Sequence, residues 1–330
     1  MNRILSLFLV LVVSLSAFAQ GAKEGSGFTE SPFKEPEEVR VVALKGPTAM
    51  GMVELMDKAS DGPVGGNIYE FSLESAPDAV VPQIVKGSVD IAAIPANLAS
   101  VVYNNTGRVR VLGINTLGVL YICGFGDSAI TSVDDVRGKT IYASGKGSTP
   151  QYALETILSS LGLSDGRDVF IEWKSEHAEC VAALIASEGK ALAMLPQPFA
   201  TTAMVQNKDI HILYDLNDAW ESISGTPLVT GVVVTSESFA EEHSDAVDSF
   251  LKDYRESVDF VNSNISEAAD LIEKYGIIKA AVAAKALPYC NITLITGDEL
   301  KSTLSVYLEA LYAQNPKSIG GNLPSDEFYY

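Results

Sequence analysis

The polar groups best placed to bind another molecule lie in a turn between a strand signal and a helix signal. This turn, Tyr142–Tyr152 (YASGKGSTPQY), leads into a helix predicted at Gln151–Leu161. Thr149 is predicted to be the helix N-cap, and Pro150 suits the first helical position because proline has no N–H to lose there. The two glycines of the turn allow the backbone to approach another molecule closely. Free N–H groups at such a helix start can bind an anion or the negative end of a dipole.

A second turn of the same kind occurs 101 residues earlier. Lys45-Gly46-Pro47-Thr48 aligns with Lys146-Gly147-Ser148-Thr149, and the register continues without a gap as far as Val111-Leu112 against Ile212-Leu213. Strand-like, loop-like and helix-like positions coincide along this window. A repeat of about 100 residues is too long for a solenoid. The pattern therefore predicts two similar lobes within one chain.

The elements around the two turns alternate between strand and helix, which predicts an α/β fold. Each lobe is expected to hold a mostly parallel sheet with helices on both faces. Leu117–Phe125 and Val229–Thr235 are strong strand signals that we interpret as two crossings between the lobes. Lobe one is thus predicted to be discontinuous, at 37–117 and 230–330, with lobe two at 118–229. Two crossings between similar lobes make a hinge with a cleft between them.

Ligands of open α/β sheets bind outside the carboxyl ends of the strands. In this chain those ends are the two turns and the loops at Pro95–Asn97 and Pro196–Pro198. A small solute could be contacted there by hydroxyl and amide groups, by the backbone N–H groups of Met50, Thr149 and Gln151, by lysine charges and by stacking aromatic rings. The predicted ligand-binding residues are Lys45, Thr48, Met50, Asn97, Tyr121, Lys146, Ser148, Thr149, Gln197 and Trp220.

Each of these residues also has a structural interpretation. The hydroxyls of the turns could serve only as helix caps, and the lysines could be solvated. The aromatic rings could pack in the hinge or the core. The residue types alone do not separate these alternatives.

No catalytic or metal-binding group of residues is evident. His177, His211 and His243 are scattered, and Cys123, Cys180 and Cys290 lie far apart with no metal-ligand spacing. The GKGST string lacks the glycine that a phosphate-binding P-loop requires. We therefore predict no catalytic residue, no metal and no cofactor. Two of the cysteines could pair in an exported protein, but buried free thiols are the simpler expectation.

The N-terminus has the form of a signal peptide. Asn2-Arg3 is followed by the apolar run Ile4–Leu15 and by a small-x-small cleavage site at Ala17–Ala19. This predicts a leader at 1–19 and a flexible tether at 20–36, with an uncleaved anchor as the alternative. The net charge of −19 argues against binding to nucleic acid or to an anionic membrane.

The chain resembles the substrate-binding proteins of ABC importers, in the nitrate/sulfonate/taurine and thiamin-precursor group. The segments that carry the resemblance are VRVVALKGPTAMGM (39–52), KGSVDIAAIPANLAS (86–100), VRGKTIYASGKGSTPQYALETILSSLGL (136–163), KALAMLPQPFATTAM (190–204) and LVTGVVVTSESFAEEH (228–243). The C-terminal PKSIGGNLPSDEFYY (316–330) is similar to the ending of a bacterial branch of such proteins.

This resemblance implies a periplasmic or cell-surface monomer of the type II periplasmic binding fold. Such a protein captures a small polar solute by hinge closure and delivers it to ABC permease and ATPase subunits. The ligand stays open among a sulfonate, a thiamin-precursor pyrimidine and a carboxylate. One alternative is an enzyme of the same fold that acts on futalosine-like or pyrimidine compounds. Another is the receptor of a different transporter or of a sensor.

Overall fold

Eleven strands build two separate sheets in the part of the chain that the structure, a computed structural model, describes: residues 35–126, 130 and 132–330. The predicted leader at 1–19 and the tether as far as residue 34 lie outside the described residues. The strands, in chain order, are β1 (Glu37–Leu44), β2 (Asn67–Glu74), β3 (Ile91–Pro95), β4 (Val109–Leu117), β5 (Leu120–Phe125), β6 (Thr140–Ala143), β7 (Phe170–Trp173), β8 (Leu192–Pro196), β9 (Ile210–Asp215), β10 (Val229–Ser236) and β11 (Ile292–Ile295).

Helices cover the faces of both sheets, as the alternating pattern predicts. They are α1 (Pro47–Met50), α2 (Val53–Ala59), α3 (Pro77–Val85), α4 (Ala96–Thr106), α5 (Thr149–Ser160), α6 (His177–Ala186), α7 (Phe199–Gln206), α8 (Leu216–Ser224), α9 (Glu237–Glu242), α10 (Ser244–Ser263), α11 (Ile265–Lys274), α12 (Ala280–Ala286) and α13 (Gly297–Gln314). Among the described residues, no helix combines the length and apolar character needed to cross a membrane.

The five strands of the second sheet follow the same order as the first five strands of the first sheet, to which β11 is added, and this confirms the predicted duplication. The first sheet runs β2-β1-β3-β10-β4-β11 and the second runs β7-β6-β8-β5-β9. β1 lies parallel to β2 and β3, and β6 lies parallel to β7 and β8. Each sheet then adds one antiparallel crossing strand. β10 pairs with β3 in the first sheet, and β5 pairs with β8 in the second sheet.

We call the elements packed on the first sheet the first half and those packed on the second sheet the second half. One hydrophobic core continues across both, because its buried residues include Ile94 and Val232 of the first sheet and Ile141 and Met194 of the second. Helix α13 belongs to this shared core through Tyr307. The described residues Glu35–Tyr330 form a single compact unit.

Three local predictions were wrong: the apolar periodicity predicts one helix at 48–59 and one at 239–262, and the turn predicts Thr149 as an N-cap. The helix predicted at 48–59 is two helices, α1 and α2, because the Ser257 hydroxyl comes between the Gly51 carbonyl and the Leu55 N–H: it donates to the first at 2.7 Å and accepts from the second at 3.1 Å. The helix predicted at 239–262 is likewise divided, into α9 and α10 at His243. Ser148, not Thr149, is the N-cap of α5, and it makes no side-chain capping bond.

The chain passes from the first half to the second at Gly118, between β4 and β5. A β-carbon there would lie 1.7 Å from the Asn217 Oδ1 and 2.8 Å from its Cβ. The Asn217 backbone N–H donates to the Asp215 carboxylate at 2.8 Å, so the side chain has little room to retreat. The glycine therefore permits a close approach at the crossing.

Replacement of Gly118 by alanine is expected to lower the free energy of unfolding by about 1–2 kcal/mol because it forces Asn217 to move. Urea denaturation measures this change. Asn217→Ala in the same chain removes the two closest atoms, Oδ1 and Cγ, so the double variant should be less destabilised than the sum of the singles. Fully additive effects would contradict the proposed clash.

Candidate functional site

The turn after β6 satisfies much of its own hydrogen bonding. The Ser148 hydroxyl donates to the Gly145 carbonyl at 2.8 Å, and the Gly147 N–H donates to the Gln151 side chain at 2.7 Å. The Gln151 N–H, predicted as a ligand donor, instead donates to the Ser148 carbonyl at 3.1 Å. The side chain of Lys146 is exposed. The Thr149 hydroxyl, in contrast to that of Ser148, reaches beyond the turn.

The equivalent turn after β1 is also closed on itself. The Thr48 hydroxyl donates to the Leu44 carbonyl at 2.8 Å, while Lys45 is exposed. The Met50 N–H donates to the Gly46 carbonyl at 3.0 Å, and its side chain is fully buried in the core. The prediction that the Met50 N–H is free for a ligand is therefore wrong, because the short helix α1 uses it.

Buried hydrogen bonds join the second turn to the first half of the molecule. The Thr149 hydroxyl lies 3.3 Å from the Asn97 Oδ1, at the start of α4, and 2.8 Å from the Tyr307 hydroxyl on α13. Thr149 is 2% exposed and Asn97 4%. Burial raises the pKa of Tyr307, so its hydroxyl stays a donor. The segments that follow the carboxyl ends of β3 and β6 thus meet between the halves, and we call this region the crevice.

A second contact between the halves involves Tyr121 on β5. Its hydroxyl donates to the Tyr289 carbonyl at 2.9 Å, and the two rings meet edge to face with centroids 6.5 Å apart. The ring of Tyr121 is buried, at 2% exposure. Its hydroxyl therefore stabilises the contact between the halves in this conformation.

Gln197 carries a buried donor that has no partner among the described residues. Its Oε1 accepts from the Thr201 hydroxyl at 2.9 Å and from the Thr201 N–H at 3.3 Å, which orients the amide. The Nε2 on the other side has no hydrogen-bond partner, although Gln197 is only 1% exposed. An unsatisfied buried amide is unfavourable by about 1–3 kcal/mol. A bound polar group would remove that penalty.

Trp220 packs in the shared core. Its ring lies 5.7 Å from that of Tyr307, at 1% exposure, which agrees with the structural interpretation of this residue. Its indole N–H also lacks a partner among the described residues.

The first-sheet side of the crevice depends on a close approach between β10 and the first turn. A β-carbon at Gly231 would lie 2.6 Å from the Asn115 Oδ1 and 2.7 Å from the Thr48 Cγ2. Asn115 is fully buried, and its Nδ2 donates to the Thr48 carbonyl at 3.1 Å. Asn115 thus fixes α1 against β4.

Ser144 and His177 form a pair that the scattered histidines of the sequence did not suggest. Ser144 follows β6 directly, His177 begins α6, and the Ser144 Oγ lies 2.5 Å from the His177 Nδ1. The imidazole also packs against the Phe199 ring, with centroids 5.0 Å apart. Burial lowers the pKa of His177 to about 4, so the ring is neutral at pH 7 and Nδ1 can accept the serine proton.

This histidine is expected to make the stability of the protein depend on pH. Between pH 6.5 and 4 the unfolded chain binds a proton at His177 that the folded chain does not bind. The free energy of unfolding should therefore fall by about 2 kcal/mol as the pH drops through this window. Urea denaturation at several pH values measures it. His177→Gln should reduce the slope, whereas His211→Gln, at an exposed position on β9, should not. An unchanged slope in His177→Gln would contradict the assignment.

The three cysteines are free and buried. Burial raises the pKa of Cys123 and of Cys290 to about 12, so both thiols stay protonated. Within the described residues, no group of three or more His, Cys, Asp or Glu side chains could hold a metal ion.

A groove of about 330 Å³ lies away from the crevice, at the opposite ends of the strands of the first sheet. Its lining residues are Ile84, Val85, Lys86, Gly87, Arg108, Ser236, Glu237 and Ser238. These residues surround the starts of β3 and β4 and the end of β10, whereas the crevice lies at the carboxyl ends of β3 and β6.

Sequence reasoning missed Tyr307, Ser144, His177 and Asn115. Tyr307 lies on a helix 158 residues after Thr149, and no repeat relates the two. Ser144 was detectable as the residue directly after β6, at the carboxyl end of the strand. Its partner, His177, could not be identified without knowing where α6 begins.

Comparison with known proteins gives one family and a clear fold. A family model described as "Menaquinone biosynthesis" matches residues 67–312. No curated protein matches the chain.

Several solved structures are similar over most of the chain. An ABC transporter from Parabacteroides distasonis has 20% identity and a TM-score of 0.75, covering 88% of this chain and 98% of that one. The periplasmic aliphatic sulphonate binding protein SsuA from Escherichia coli has 18% identity and a TM-score of 0.71, with 89% and 92% coverage. The alkanesulfonate-binding protein SsuA from Xanthomonas axonopodis pv. citri, bound to MOPS, has 17% identity and a TM-score of 0.64, with 88% and 96% coverage. The fold is therefore that of the periplasmic binding proteins.

Proposed function

The chain belongs to the menaquinone biosynthesis family, and from that membership and its binding-protein fold we propose that it captures a small polar organic solute between two lobes. Lobe one comprises 37–117 and 230–330, and lobe two comprises 118–229. The observation that carries the proposal is the buried contact of Thr149 with Asn97 and Tyr307. These groups come from both halves, and they meet only when the halves are close.

In this proposal the solute binds at the crevice, and closure excludes water. Exclusion of water strengthens each polar contact inside. Gln197 offers a donor that has no partner among the described residues, and Thr149 forms part of the contact that joins the halves. Lys45 and Lys146, exposed at equivalent turns, attract a negatively charged group of the solute.

We further propose that the protein works outside the cytoplasm, as a monomer, with ABC permease and ATPase subunits. The fold that it shares with periplasmic binding proteins and the leader predicted at 1–19 support this role. The net charge of −19 is unfavourable for binding to nucleic acid. A sulfonate, a pyrimidine and a carboxylate are the solute classes to test.

Small-angle scattering tests the proposal together with mass spectrometry of material that co-purifies with the protein. Mass spectrometry should recover a small polar compound, and returning that compound to the stripped protein should reduce the radius of gyration. A profile that stays the same across a broad set of sulfonates, pyrimidines and carboxylates would overturn the proposal.

An enzyme on the same fold is the second candidate, and the Ser144–His177 pair favours it. A neutral imidazole beside a hydroxyl at the carboxyl end of a strand can accept a proton from a bound substrate or from the serine. The family name, which denotes a biosynthetic pathway, points the same way. Turnover of the recovered compound that is lost in His177→Gln would establish the enzyme. Capture of the compound unchanged would favour the binding protein.

A further inference from the structure

The Asn97 side chain stands between the second half of the molecule and the C-terminal segment 315–330. Its Nδ2 donates to the Ser318 carbonyl at 3.1 Å, while its Oδ1 lies 3.3 Å from the Thr149 hydroxyl. An amide has one donor end and one acceptor end. Because the segment takes the donor end, the acceptor end must face Thr149.

The C-terminal segment is held on α4 by side chains of the same helix face. Ser100 Oγ donates to the Ile319 carbonyl at 2.9 Å. Asn104 Nδ2 donates to the carbonyls of Ile319 and Asn322, at 2.7 Å each. Asn97, Ser100 and Asn104 are spaced three and four residues apart, which places them in one row along the helix.

The path of the segment over α4 is tight. Gly320 has φ of +90°, and a β-carbon there would lie 2.9 Å from the Asn104 Cβ and 3.1 Å from the Val101 Cα. Further along, Phe328 is fully buried and lies against the Tyr103 ring, with centroids 5.0 Å apart. The segment is therefore fixed on both sides of the Ser318 carbonyl.

These contacts determine which group donates and which accepts in the hydrogen bonds between the halves. The Tyr307 hydroxyl can donate to Thr149, and the Thr149 hydroxyl can donate to the Asn97 Oδ1. A flipped Asn97 amide would place its oxygen against the Ser318 carbonyl, two acceptors facing each other in a buried site, which is strongly unfavourable. The segment thus selects the amide orientation that receives Thr149.

We propose that Asn97 is a positioning residue for closure and does not contact the solute, and that the C-terminal segment sets how readily the halves close by orienting it. The inference rests on the proposed function, because it assigns a regulatory role at the same crevice. It revises the sequence-based expectation that Asn97 binds the ligand.

The test measures separation of the halves without any solute. The chain has two tryptophans, Trp173 and Trp220, so Trp173→Phe leaves Trp220 as the only one. Trp220 packs on Tyr307 at 1% exposure, and its quenching by acrylamide reports access to that contact. Each variant below is made in the Trp173→Phe chain and measured at neutral pH without denaturant.

Thr149→Val should raise the quenching constant about threefold, because the bond between the halves is lost. Asn97→Leu should raise it by a smaller factor, because the bond between Thr149 and Tyr307 remains, and the double variant should not exceed Thr149→Val alone. Asn104→Ala loosens the segment without touching Asn97 or Thr149, and it should raise the constant about twofold. Thr106→Val is the matched control, because the Thr106 hydroxyl donates to the Val102 carbonyl and accepts from the exposed Arg108 N–H, and neither bond involves the segment. It should change nothing.

An increase in Thr149→Val with no increase in Asn97→Leu or Asn104→Ala would overturn the inference. The same holds if the effects of Thr149→Val and Asn97→Leu simply multiply in the double variant. Failure of the proposed function is a separate result, since it would appear as absence of any captured compound in mass spectrometry while the quenching pattern is retained.

Discussion

Replacement of Tyr307 by alanine is expected to lower the free energy of unfolding by about 3–5 kcal/mol, the largest effect that we predict for a single substitution. Tyr307 is fully buried, packs on Trp220 and donates toward Thr149. Its removal leaves a cavity in the core that both sheets share. Urea denaturation measures the change.

Two further variants separate the contributions. Tyr307→Phe keeps the ring and removes only the hydroxyl, so a loss of about 1–2 kcal/mol is expected. Tyr312→Ala, on the same helix at 37% exposure, should change stability by about 0.5 kcal/mol or less. A loss below about 1 kcal/mol for Tyr307→Ala would show that α13 does not join the two halves through this residue.

Replacement of Gln197 by methionine is expected to weaken binding of the co-purified compound by about 30–100-fold. The reason is that Nε2 is the buried donor without a partner, and a bound acceptor would satisfy it. Methionine keeps the length of the side chain but cannot donate. Isothermal titration with the compound identified by mass spectrometry measures the affinity.

The matched control is Thr201→Val, which removes the bond from the Thr201 hydroxyl to the Gln197 Oε1 and leaves Nε2 in place. This variant should weaken binding by about threefold or less, through orientation of the amide alone. Equal losses in the two variants would mean that Gln197 supports the loop and does not reach the solute. Unchanged affinity in Gln197→Met would remove it from the proposed site.

Much of the local structure could be predicted because it depends on local patterns. The equivalent strands β3 (Ile91–Pro95) and β8 (Leu192–Pro196), one in each sheet, lie 101 residues apart, as the repeat predicts. Apolar runs ended by proline or glycine specify such buried strands with little help from distant residues. The turn beside Thr149 was found for the same reason, since its glycines and proline lie together in the chain.

The roles of the predicted site residues were harder to predict, because a side chain's hydrogen-bond partner depends on what packs against it. In the 101-residue repeat Thr48 aligns with Thr149, and Met50 aligns with Gln151. In the structure the Thr48 hydroxyl and the Met50 N–H bond within the first turn, whereas Thr149 reaches across to the other half. Tyr121 and Trp220 proved to be packing residues in this conformation, as their structural interpretation allowed. Their contact with a solute stays a prediction.

The sequence by itself determined the duplicated α/β pattern, the two chain crossings and the edges of the sheets at which a solute could bind. Periodicity and turn residues carry that information over short distances. Only the tertiary structure decided that Tyr307 meets Thr149 and that the C-terminal segment orients Asn97. These contacts join residues more than 100 positions apart, and burial of the side chains among each other, which no local pattern records, selects them.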